Sequence, residues 1–142
     1  MHYMLLWSII ERFCILSYGH FPIGLNMFNF AKEESFNVKL RTITRKDIAY
    51  SSDTLEDKYL DSFSYGDSIA YYYTIRCNIV HKGKTVGDDE MNKLKYSLEE
   101  LYSLFMAVYN EKLMLNDELL DKYHKKGFNS YFIIVVWKNF FN

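Results

Sequence analysis

Between Asp89 and Lys112 the apolar residues Leu94, Leu98, Leu101, Phe105 and Val108 recur at steps of three and four, the spacing of one buried helix face. A strand repeats every second residue and does not line up such a stripe. A second stripe, Ile69, Tyr72, Ile75 and Ile79, runs between Asp67 and His81, with Asp67 or Ser68 placed to cap its start and Gly83 its end. The far face of that helix carries Thr74, Cys77, Asn78 and His81. A third helix is expected from about Tyr3 to Tyr18, stopped by Gly19 with Pro22 beyond it. Its Leu5, Leu6, Ile9, Ile10, Phe13 and Leu16 cover more than one face, which predicts a central place in the core. Together these helices predict a mainly helical, all-α domain with room for short irregular or strand-like segments.

The rest of the chain is less regular. Residues His20 to Asp53 hold no sustained period, so loop and short elements are expected there. Val38 to Ile43 alternates like a short strand, whereas Thr44 to Asp47 resembles a helix start. Leu55 to Phe63 reads as a short helix. Gly83 to Asp89 reads as a loop, with Asp88 or Asp89 capping the helix that follows. Asn116 to Lys126 reads as a further helix stopped by Gly127. The final stretch, Phe128 to Phe141, has a β-branched run that favours a strand and helical company that favours a helix. A length of 142 residues, 49% of them hydrophobic and 18% aromatic, suits one folded domain spanning 1–142. A helix from the first residues and an apolar finish are also compatible with a piece of a longer chain.

A formal net charge of −1 gives no long-range pull toward nucleic acid or an anionic membrane, so any RNA contact must be local. Cys14 and Cys77 have neither the number nor the spacing of a disulfide framework or a zinc site. No metal and no other cofactor is expected, and a reducing cytoplasm is the simplest compartment. The apolar start lacks a basic lead and a small-residue cleavage site, and Glu11 and Arg12 interrupt it, which favours a buried helix over a signal peptide or a membrane span.

The segment that carries chemistry is Ile75-Arg76-Cys77-Asn78-Ile79-Val80-His81-Lys82-Gly83-Lys84, at the end of the second helix. It resembles the R-x4-6-H signature of the HEPN superfamily, in the R-x-N-I-V-H-x-G-K form of its Apea-like and abortive-infection members. The helical context from Leu6, Trp7 and Glu11 to the 94–112 helix extends the likeness. Many active members carry Asn, Asp or His directly after the arginine; here that position is Cys77, with Asn78 one step later. The resemblance implies a helical bundle that dimerises with its motifs facing a two-fold cleft. It also implies a metal-independent RNA endonuclease that leaves a 2′,3′-cyclic phosphate, in phage defence or as a toxin, with an antitoxin or defence partner.

The residues suit that chemistry. Cutting RNA without a metal needs a base for the 2′-hydroxyl proton, an acid for the leaving oxygen and positive charge at the phosphate. An imidazole titrates near neutral pH, so His81 can serve as base or acid. A guanidinium stays protonated, so Arg76 can grip phosphate oxygens. Arg76, His81 and Asn78 form the expected catalytic set, with Lys82, Lys84 and Thr74 as the RNA-binding set and Cys77 and Glu11 in support. Glu11, a carboxylate in an apolar helix, needs a partner: Arg76 or His81, an ion pair among the neighbours of Arg12, or partial exposure to solvent.

Five residues along an ideal helix turn the side chain about 500°, leaving Arg76 and His81 roughly 140° apart. Either the last turn widens, or two antiparallel copies pair Arg76 of one with His81 of the other. A catalytically silent module that binds RNA or a protein is the alternative from another class. The blandest reading is two basic residues meeting a helix dipole.

Overall fold

The computed structural model of the chain describes residues 2–82 and 88–115. Along them run α1 (His2–Tyr18), α2 (Ile23–Ala31), α3 (Glu34–Leu40), β1 (Asp47–Ser51), β2 (Glu56–Leu60), α4 (Tyr65–Lys82) and α5 (Asp88–Leu115). The fold is mainly helical, with one small antiparallel sheet.

Helix α1 occupies the centre. Tyr3, Leu6, Trp7, Ile10 and Phe13 are all buried, although Leu5 points outward. The Phe13 ring meets Phe105 of α5 edge-on at 5.4 Å and Phe30 of α2 at 6.2 Å, the arrangement that aromatic quadrupoles favour. Gly19 ends the helix at φ +105°, a conformation that side chains resist, while its N–H still donates to the Ile15 carbonyl at 2.9 Å.

Residues 20–53, where loop and short elements are expected, contain the short elements α2, α3 and β1. Helix α2 hides its period because Asn26 is buried while Ile23, Leu25 and Phe28 are exposed. The Asn26 amide donates to the Gly19 carbonyl at 3.1 Å, so its burial is compensated by a hydrogen bond. The strand expected at Val38 to Ile43 is absent: Val38 and Leu40 belong to α3, and the strand lies later, at β1.

The short helix expected at Leu55 to Phe63 is instead β2, paired with β1 in the register Asp47↔Leu60 to Ser51↔Glu56. In β1 the buried positions are the small Ala49 and Ser51, whereas the large Ile48 and Tyr50 face out. Small inward residues let the hairpin lie close against α4, and the usual hydrophobic-in alternation is inverted.

Helix α4 starts earlier than Asp67. Ser64 caps it, accepting from the Asp67 N–H at 3.3 Å and donating to the Asp67 carboxylate at 2.9 Å. Ser68 is buried and ties itself to the Asp61 backbone. The stripe of Ile69, Tyr72 and Ile75 is buried as the spacing predicts, with Ile79 packed at its edge. In α5, Leu101, Phe105 and Val108 are buried and Leu94 and Leu98 partly so. Asp88 and Asp89 both lie within that helix. The expected Gly83 cap, the 116–126 helix and the terminal stretch from 128 fall outside the described residues. Among the described residues, no helix is long and apolar enough to cross a membrane.

Candidate functional site

The C-terminal half of α4 is flanked by α1 and by the hairpin, and its two motif residues are held by different neighbours. On the α1 side, the Arg76 guanidinium lies 3.4 Å from the Glu11 carboxylate. It also donates to the Tyr73 hydroxyl at 3.4 Å and sits over the Tyr73 ring, 5.2 Å from its centre. Tyr73 precedes Arg76 by three residues, the helical spacing of stacked neighbours. The Tyr73 ring meets the fully buried Trp7 edge-on at 5.4 Å. The Arg76 side chain is 26% exposed, so it reaches solvent from a fixed position, and its buried Nε hydrogen has no partner among the described residues.

On the hairpin side, His81 is 54% exposed and its Nε2 lies 3.5 Å from an Asp53 oxygen in the β1–β2 turn. That contact becomes an ion pair when the imidazole is protonated. Asn78 donates to the Tyr50 carbonyl at 3.1 Å and so fastens α4 to β1. Cys77 falls between the two faces; burial raises its thiol above the ordinary value, Arg76 opposes that and Asp53 adds to it.

Thr74, expected on the polar face, is 6% exposed and buried, which removes it from any surface that meets RNA. Lys82 closes α4, and Lys84 falls outside the described residues. Helix α4 stays α-helical throughout, without the widened turn that would bring Arg76 and His81 onto one face. In one chain the guanidinium and the imidazole therefore stay on separate sides of the helix. Among the described residues, no group of three or more His, Cys, Asp or Glu side chains is placed to share a metal ion.

No protein-family model, curated protein or solved structure matches this chain.

Three partners are hard to see in the residue pattern. Tyr73 was legible at the i−3 position from Arg76 but reads first as packing. Asp53 is brought to His81 only by the hairpin, which the sequence disguises. Arg45 is the hub of a partly buried network. It donates to Glu100 at 2.9 and 2.6 Å, to Asp47 at 2.8 Å, and to Ser97 and Tyr71 at 3.2 Å each. Tyr71 in turn donates to Asp47 at 2.7 Å. This network joins β1, α4 and α5 at the end of the hairpin away from the Asp53 turn.

Proposed function

We propose that the chain is a metal-independent RNA endonuclease of the HEPN type, acting as a homodimer in phage defence or as a toxin. In this reading the Arg76 guanidinium of one copy holds the scissile phosphate beside His81 of the other. The imidazole takes the 2′-hydroxyl proton, the 2′-oxygen bonds to phosphorus, and the bond from phosphorus to the 5′-oxygen breaks. The same imidazole, now protonated, returns that proton to the departing oxygen, leaving a 2′,3′-cyclic phosphate and a 5′-hydroxyl.

The observation that carries this reading is the division of the motif between two sides of α4. Both side chains reach solvent, each is held by a carboxylate, and one chain cannot aim both at a single phosphate. A two-fold pairing of the α4 ends supplies what the single chain lacks.

RNA cleavage in EDTA by wild type, Arg76→Ala and His81→Ala, alone and mixed, tests it. Each variant alone is expected to lose activity, and the mixture to regain part of it, because a mixed dimer holds one complete Arg76–His81 pair. Loss without recovery in a confirmed mixed dimer overturns the shared site.

A second reading has one observation in its favour: Glu11 already balances the Arg76 charge. A silent module that binds RNA or a partner protein would keep that pair and cut nothing. Wild type that binds RNA and leaves it intact in every sequence context decides for the module.

A further inference from the structure

Between β1, the C-terminal half of α4 and the start of α5 lies a cleft of about 550 Å³, within the range of small-ligand sites. Ile75, Ile79 and Leu94 supply hydrocarbon from the two helices, and Ala49 adds to it from β1. Charged and polar groups also line the cleft, the Asp57 and Glu90 carboxylates among them. Asn78 is held by its bond to the Tyr50 carbonyl, and the Lys93 ammonium donates to the Ile48 carbonyl and lies 3.6 Å from Asp47. His81 lines the same cleft.

Hydrocarbon walls with a few fixed polar groups suit a flat heterocycle, whose faces seek apolar or aromatic cover and whose edge seeks hydrogen bonds. A sugar or a bare phosphate would leave the apolar walls unused, and an acyl chain would lay hydrocarbon against the charged groups of the lining. The shared lining of His81 adds a directional constraint: a base seated here brings its own ribose and phosphate toward the imidazole.

We propose that this cleft seats the nucleobase adjoining the phosphate that is cut. The seat for a nucleotide stands on the cleft alone, whereas its link to cutting rests on the nuclease reading above.

The test titrates the four nucleoside 3′-monophosphates into the full chain, with ribose phosphate as the control lacking a base. Backbone amide shifts of Ala49, Ile75 and Leu94 are the readout. At least one nucleotide is expected to shift all three amides while ribose phosphate leaves them in place. Filling the cleft by Ile79→Trp, or from the facing helix by Leu94→Trp, is expected to weaken that binding about tenfold, the worth of one stacked base. Circular dichroism melts identify which of the two variants keeps the fold. Shifts absent for all four nucleotides, or equal for ribose phosphate, overturn the proposal. If RNA is cut, the filled variant is expected to change which base flanks the cut. An unchanged preference sinks the seat and leaves the nuclease standing. Nucleotides that seat in a chain that cuts no RNA support the seat and refute the nuclease.

Discussion

The Tyr73 ring lies beneath the Arg76 guanidinium, 5.2 Å from centre to carbon, and is itself braced edge-on by Trp7 at 5.4 Å. With Glu11 at the other side, the guanidinium is held by a charge, a hydroxyl and an aromatic face. An arginine prepared in this way loses little freedom when an anion arrives.

Tyr73 is therefore expected to act as a positioning residue. Replacing it by Leu removes both ring and hydroxyl, and a cation–π contact at a part-exposed site is worth about 1 kcal/mol. Under the proposed function, Tyr73→Leu should lower kcat/KM for RNA roughly fivefold, while Tyr73→Phe, which keeps the ring, stays within about twofold. Equal losses in the two variants at unchanged melting temperature would remove the ring from the account.

Arg45 is expected to matter for stability. Its side chain is 21% exposed and Glu100 opposite is 15% exposed, so Arg45→Ala strands a carboxylate with little water around it. Burial alone would weaken the cationic form, but hydrogen bonds to Glu100 and Tyr71 outweigh it and keep Arg45 charged. The expected loss is about 3 kcal/mol in urea unfolding, and Arg45→Lys should recover only part of it, since a single ammonium cannot reproduce the forked contacts. A loss under 1 kcal/mol would contradict the network's structural role.

Asp47 gives the pH dependence. Burial pushes its carboxyl up, yet the Tyr71 hydroxyl, the Ile48 N–H, Lys93 and Arg45 together hold it below the ordinary carboxylate value. A group with a lowered folded value adds stability that is complete above the unfolded value, about pH 4, and fades as pH falls through the folded one. Wild type should therefore lose stability steeply below about pH 4, and Asp47→Asn should flatten that slope while lowering stability at pH 7. Parallel curves for the two proteins would place the acid sensitivity elsewhere.

Leu55 offers a gain. It closes the β1–β2 turn at φ 57°, in the left-handed region that a leucine adopts at a cost, and its side chain is 73% exposed. Leu55→Asn is expected to raise stability by roughly 0.5–1 kcal/mol, read as a higher urea midpoint at constant slope. A drop would mean that the leucine packs usefully despite its exposure.

What the sequence disclosed follows from where burial matches period. Helices α1, α4 and α5 are legible because Phe13, Tyr72 and Phe105 sit on continuous apolar stripes. The hairpin is not, since β1 buries Ala49 and Ser51 and exposes Ile48 and Tyr50, reversing the cue that marks a strand. Helix α2 fails in the same way through buried Asn26. At the site, Arg76, His81 and Glu11 could be picked out by residue type, and Cys77 and Asn78 by adjacency. Thr74 has the spacing of a surface residue, one turn back from Asn78, yet is buried, and Asp53 reaches His81 only through a turn that the sequence disguises. The HEPN resemblance lives in a ten-residue string, too short to dictate how helices on either side pack.

The inward Ser51 carries a lasting constraint. It is buried and accepts from the Thr54 N–H in the turn that carries Asp53, so an added branch of two or three carbons costs about 1–3 kcal/mol and would shift that turn away from α4. Sequences diverging from this one are free to redraw much of their outer surface, but at this position drift is confined to small side chains for as long as the imidazole keeps its acidic neighbour.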